Sequence, residues 1–134
     1  MKLAAIDIGS NAVRLLFMNV YETDNGPVFV KDAIYRVPLR LGDDVFLKGK
    51  ITKEGKRRTL DTMIAFKKLM LVHGTEGYMI CATSAMRDAK NSKEIIKAVK
   101  KKTGLEIMVI SGAEEAEIIF ANHVEKMRLH PDKN

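Results

Sequence analysis

Cysteine is nearly absent: Cys81 is the single one in 134 residues, so no intramolecular disulfide can form. It lies in the apolar run Tyr78-Met79-Ile80-Cys81-Ala82 and reads as a small core residue, not a nucleophile or a metal ligand. A reducing cytoplasm fits this usage best. Tryptophan is missing and aromatic residues make up only 6% of the chain. The basic clusters Lys53-Lys56-Arg57-Arg58, Lys67-Lys68 and Lys97-Lys100-Lys101-Lys102 have no aromatic residues interleaved. That argues against a stacking platform for single-stranded nucleic acid, so no nucleic-acid partner is expected. No apolar run is long enough to span a bilayer, and Met1-Lys2 leads into a strand without a signal-peptide pattern, so no membrane role is expected. The histidines, His73, His123 and His130, show no ligand spacing. There is no internal repeat and no low-complexity segment.

What is present suits one compact domain. Hydrophobic residues account for 46% of a chain of single-domain length, enough for a core without disulfides. Net charge is +6, from 23 basic and 17 acidic residues, which favours an anionic partner by electrostatic steering without naming it. The lysine clusters themselves read as the solvated faces of helices.

The run Leu3-Ala4-Ala5-Ile6 does not alternate in polarity and predicts a strand buried on both faces. It enters Asp7-Ile8-Gly9-Ser10-Asn11, a turn in which Gly9 is free to take positive φ and Ser10 and Asn11 can bond their own backbone. Val13–Val20 returns as a second strand. A turn carrying a carboxylate, a glycine and hydroxyl or amide side chains can receive a phosphate or a hydrated metal ion. Thr23-Asp24-Asn25-Gly26-Pro27 marks the next turn, and Val28–Arg36 a third strand. Three meandering strands imply antiparallel pairing at one end of a sheet. Val37-Pro38-Leu39-Arg40-Leu41-Gly42-Asp43-Asp44 reads as a crossing loop.

Helical spacing of Leu60, Met63, Phe66 and Met70 predicts a helix from about Thr52, its N-cap, to His73, ending at Gly74. The methionine stripe is core packing. Tyr78–Ala82 predicts a buried strand ending in Thr83-Ser84-Ala85-Met86-Arg87-Asp88-Ala89. Two hydroxyls and a guanidinium at the carboxyl end of a strand suit an oxyanion; taken alone, they suit better a helical turn capped by Thr83 or Ser84, with Arg87 paired to Asp88 or a nearby acid. Asn91-Ser92-Lys93-Glu94 has the spacing of a capping box opening a helix that stops at Gly104, and Glu106–Ile110 follows as a strand. Strand, helix, strand is the crossover unit of a parallel sheet. Ser111 and Glu114 match a capping box for a last helix reaching about His130 before Pro131. Glu115 lies on the same side of that helix as Ile118 and Ile119, toward the ligand-binding end of the sheet.

Asp7-Ile8-Gly9-Ser10-Asn11, Thr83-Ser84-Ala85-Met86-Arg87-Asp88-Ala89 and Ser111-Gly112-Ala113-Glu114-Glu115-Ala116, in this order, resemble the exopolyphosphatase/guanosine pentaphosphate phosphatase family. Arg36-Val37-Pro38-Leu39-Arg40-Leu41-Gly42 looks like the family's loop after its third strand. The resemblance implies an α/β fold: a ribonuclease H-like domain of the actin-like ATPase superfamily, with a mixed five-stranded sheet and helices on its faces. It implies release of terminal phosphate from inorganic polyphosphate, or of the 5′ phosphate of guanosine pentaphosphate. It also implies Glu115 as general base, and Gly9, Ser10, Asn11, Arg40, Thr83, Ser84 and Arg87 as phosphate-binding residues. Asp7 is implied as ligand to Mg2+ or another divalent cation.

Two departures stand out. Ala12 replaces a serine frequent in relatives. The family's second phosphate loop, Asp-x-Gly-Gly-Gly-Ser, does not occur in the chain. Residues 1–134 are therefore expected to be the N-terminal half of a two-domain phosphatase core, inactive or poorly active alone, with the remaining domain as partner and a homodimer left open. The alternatives are an ATPase or kinase of the same superfamily, or a non-catalytic polyphosphate or alarmone sensor.

Overall fold

The computed structural model describes residues 1–110. Its sheet holds five strands in the order β3-β2-β1-β4-β5. They are β1 (Lys2–Ile8), β2 (Val13–Thr23), β3 (Gly26–Val37), β4 (Gly77–Ala82) and β5 (Met108–Val109). The apolar opening run makes β1 the central strand, antiparallel to β2 and parallel to β4. β3 extends the antiparallel meander, and β5 pairs parallel to β4. The mixed five-stranded sheet is the expected ribonuclease H-like arrangement, and it gathers the carboxyl ends of β1 and β4 at one rim.

Alternation along β1 and β2 divides the core into two layers. Ala4, Ile6, Ile8, Val13, Leu15 and Phe17 face helices α2 (Lys53–Val72) and α4 (Ser92–Thr103), meeting Met63, Phe66, Met70, Ile95 and Val99. Leu3, Met18, Val20, Met79 and Cys81 form a smaller cluster on the opposite face. Met63 and Phe17 are wholly buried, each side chain contributing roughly 1.5–3 kcal/mol on transfer from water. The methionine stripe is thus packing, as expected. His73 is structural too: its ring stacks on Phe17 at 3.9 Å, and its Nε2 lies 3.2 Å from the Tyr35 hydroxyl.

Thr52 caps α2 as its sequence position predicts, accepting from the Gly55 N–H, while its hydroxyl donates to Asp44. Three expectations need correction. The crossing loop contains a helix, α1 (Leu41–Lys48), which begins after Arg40 in the left-handed conformation, φ 54°. Buried Leu41 anchors it, and Asp43 and Asp44 favour its positive end. Asn91 does not cap α4 with its side chain; its amide instead bonds both the N–H and the carbonyl of Ile51. Strand β5 spans only Met108–Val109 of the expected Glu106–Ile110, and both its side chains are exposed. The helix expected from Ser111 lies outside the described residues.

Candidate functional site

At the carboxyl rim of β1 the chain reverses through Ser10 and Asn11. The Gly9 N–H donates to the Ala12 carbonyl at 3.0 Å, closing the hairpin. Gly9 does not use the left-handed region. Its lack of a side chain matters for space instead, because a Cβ there would come within 3.2 Å of the Ala12 carbonyl oxygen. Helix α1 leans on the turn: the Gly42 N–H donates to the Ser10 carbonyl at 2.8 Å, and the Arg40 N–H to that of Asn11 at 3.0 Å. From the neighbouring strand end, the Thr83 N–H donates to the Ile8 carbonyl at 3.1 Å. Ser84 opens the short helix α3 (Ser84–Asp88), and its Oγ lies 2.9 Å from the Oγ of Ser10.

The two turns, distant along the chain, therefore share a hydroxyl–hydroxyl bridge. They line one open cleft of about 370 Å³ with Asp7, Gly9, Asn11, Ala12 and Thr83, and with two arginines not anticipated from the sequence, Arg14 and Arg36. That volume is on the order of ten times the share of one liquid water, enough for more than a single phosphate. Asp7 and Arg14 are cross-strand partners, joined by Arg14 Nη2 donating to Asp7 Oδ2 at 2.7 Å. The other carboxylate oxygen, Oδ1, is buried and has no partner among the described residues. A buried acceptor left without a partner on a cleft-lining residue needs an explanation, and a cation or a donor would be one.

That oxygen is also the structural test of a divalent metal. No group of His, Cys, Asp and Glu among the described residues could enclose an ion. Magnesium does not need such a cage, since it is usually held by one or two carboxylates together with waters and phosphate oxygens. Asp7, a single carboxylate in the lining of a phosphate-sized cleft, fits that habit. Cys81, paired in register with Asp7, is buried; burial first, and the Asp7 charge second, push its thiol pKa up. It is a poor nucleophile.

Two described residues of the expected site, Arg40 and Arg87, are not part of the cleft lining. Arg40 adjoins the turn through its backbone, and its side chain is exposed. Arg87 stands one turn beyond Ser84 on α3, exposed, with Nε 3.6 Å from Asp88 Oδ1. Glu115 lies outside the described residues. Arg14 could have been found from the hairpin alone, because a two-residue turn sets position 14 opposite position 7.

Comparison with known proteins bears on what this cleft is for. Residues 23–133 match the model of the Ppx/GppA phosphatase family. Exopolyphosphatase 1 of Mycobacterium tuberculosis is 34% identical over 120 residues, covering 90% of this chain and 34% of the relative. A crystal structure of the Aquifex aeolicus Ppx/GppA family member superposes with a TM-score of 0.77 at 30% identity, over 86% of this chain and 36% of that one. An exopolyphosphatase from Cytophaga hutchinsonii gives a TM-score of 0.74 at 30% identity, over 94% and 39%. The chain thus spans about a third, 34%, of the length of the mycobacterial exopolyphosphatase 1.

Proposed function

The chain belongs to the Ppx/GppA phosphatase family, and from that premise we propose that it forms one wall of a phosphohydrolase site acting on terminal phosphoanhydrides. The substrate class is inorganic polyphosphate, with the 5′ phosphate of guanosine pentaphosphate as a second substrate of the same chemistry. The observation that carries the reading is the meeting of two turns. Gly9-Ser10-Asn11 and Thr83-Ser84 line one cleft, tied by the 2.9 Å bridge between Ser10 and Ser84, beside an unpartnered Asp7 oxygen.

Phosphoryl transfer depends mainly on positioning and on neutralising charge. In this reading the hydroxyls of Ser10, Thr83 and Ser84, with the Asn11 amide, bind the terminal phosphoryl group, and Gly9 lets it approach the backbone. Asp7 holds the divalent cation, magnesium, which supplies neutralisation of the phosphate oxygens when bound. Arg40 and Arg87, exposed on the segments that adjoin the two turns, serve outer phosphates. Glu115 takes the proton of the attacking water. The P–O bond to the leaving phosphate breaks as the water oxygen joins phosphorus, giving orthophosphate and a chain shorter by one. The relatives' greater length supports a second domain as the opposite wall, so the 134-residue chain alone turns over slowly or not at all.

The experiment is magnesium-dependent phosphate release, with the chain assayed beside the two-domain parent protein that this reading requires. The parent is expected to release phosphate from polyphosphate. Glu115→Gln in the parent is expected to lower the rate by roughly 10²–10⁴-fold while polyphosphate binding persists. Unchanged turnover would remove Glu115 from the base role, and comparable turnover by the short chain would defeat the two-wall reading.

A further inference from the structure

The two strands of the β2–β3 meander do not keep one register. Met18 pairs with Lys31 but Phe17 pairs with Ala33, so Asp32 is an extra residue on β3. From the turn to Met18 the partners sum to 49, as in Thr23 with Gly26; beyond it they sum to 50, as in Arg14 with Arg36. Without the extra residue Arg14 would face Tyr35, and Arg36 would point to the opposite side of the sheet, because side chains alternate with a period of two. The bulge therefore turns Arg36 onto the face that carries Asp7 and Arg14. Bulges next to functional sites commonly re-aim a side chain in this way.

The resulting cross-strand row is Asp7, Arg14, Arg36. Arg14 is engaged with Asp7 at 2.7 Å. Arg36 forms no hydrogen bond or ion pair among the described residues, yet it lines the cleft directly opposite another arginine. Like charges directly opposite each other destabilise a sheet. The bulge creates that juxtaposition, and an anion between the two strands would relieve it. The cleft has room beyond one phosphate, and the row leads away from the turn toward the sheet edge.

We infer that Arg36 is a specificity-determining residue that binds the phosphate following the one held by the turn, so that the site selects chains of linked phosphates over a lone phosphate group. This rests on the reading of the turn as a phosphate site. It assigns Arg36 to the ligand's length and leaves the chemistry to the other residues.

Isothermal titration of the chain in magnesium buffer, with tripolyphosphate and with orthophosphate, tests it. Four proteins are compared: the unmodified chain, Arg36→Gln, Arg36→Lys, and Lys101→Gln as an equal charge change at an exposed position of α4. Arg36→Gln is expected to lose about tenfold to a hundredfold in tripolyphosphate affinity, the scale of a lost charge-assisted hydrogen bond, with orthophosphate within about twofold. Arg36→Lys should recover part of the loss, and Lys101→Gln should bind nearly as the unmodified chain does. A tripolyphosphate loss in Arg36→Gln no greater than in Lys101→Gln overturns the inference and leaves the turn reading intact. Equal losses for both ligands would move Arg36 to the first phosphate and overturn the length assignment. Binding of neither ligand by the unmodified chain would instead sink the turn reading, and the inference with it.

Discussion

Adding a single methyl group at Gly42 tests how firmly helix α1 sets the turn at Ser10. An alanine Cβ at this position would lie 2.8 Å from the Ser10 Cβ and 3.2 Å from the Ser10 carbonyl oxygen. Carbon atoms prefer roughly 3.5–4.0 Å, so the turn and the helix must part by about 0.7 Å or more. The same glycine donates its N–H to Ser10 at 2.8 Å, and parting the two lengthens that bond. Overpacking of this kind costs about 1–3 kcal/mol, while replacing helical glycine by alanine returns up to about 1 kcal/mol. The net expectation for Gly42→Ala is a loss of about 0–3 kcal/mol in chemical denaturation. Function should suffer more than stability, because a displacement near 1 Å in a positioned site can cost on the order of 10²-fold in rate. The assays are urea unfolding of the chain, tripolyphosphate binding and, on the proposed two-wall reading, phosphate release by a protein that carries both walls. If Gly42→Ala is as stable as the natural protein or more so, and binds and turns over unchanged, then α1 does not position the turn.

Thr52→Ala removes both the cap to Gly55 and the hydroxyl bond to Asp44, and should destabilise the chain by about 1–2 kcal/mol in urea; a change below a few tenths would show the cap to be redundant. Met63→Ala empties a fully buried position between sheet and helix and should cost about 2–5 kcal/mol, read from the same unfolding curves. Cys81 should resist a thiol reagent in the native protein and react stoichiometrically once unfolded; rapid native labelling would contradict its burial. Its folded thiol pKa is raised, so the native state holds that proton longer than the unfolded chain. The associated stability is therefore present at neutral pH and declines as pH rises past the free-thiol value of about 8.5, which unfolding at successive alkaline pH values would reveal. Asp7→Asn keeps the fold but should abolish magnesium-dependent strengthening of phosphate binding; retained dependence would place the cation elsewhere.

Much of this architecture follows from local patterns. The apolar run of β1, the turn residues Gly9 to Asn11 and the helical spacing of Met63, Phe66 and Met70 each act over a few neighbours, and all three could be read along the chain. What could not be read depends on distant partners. Helix α1 is eight residues long, carries Gly42 and starts from a left-handed Arg40, so it offers no periodic stretch to recognise. Asn91 looks like a cap, but the loop at Ile51 claims its amide. Arg36 enters the cleft only because Asp32 is left unpaired, a fact of registry between two strands that no residue near Arg36 announces. Thr83 and Ser84 were legible as anion-binding types, but their bridge to Ser10 needed the parallel pairing of β1 and β4.

The most direct measurement is amide NMR of the chain titrated with tripolyphosphate and magnesium. The largest shifts should fall on Gly9, Ser10, Asn11, Thr83 and Ser84, the two turns that share the cleft. Shifts confined to the exposed lysines of α2 and α4, with these turn amides unmoved, would contradict the phosphate site at the rim of β1 and β4.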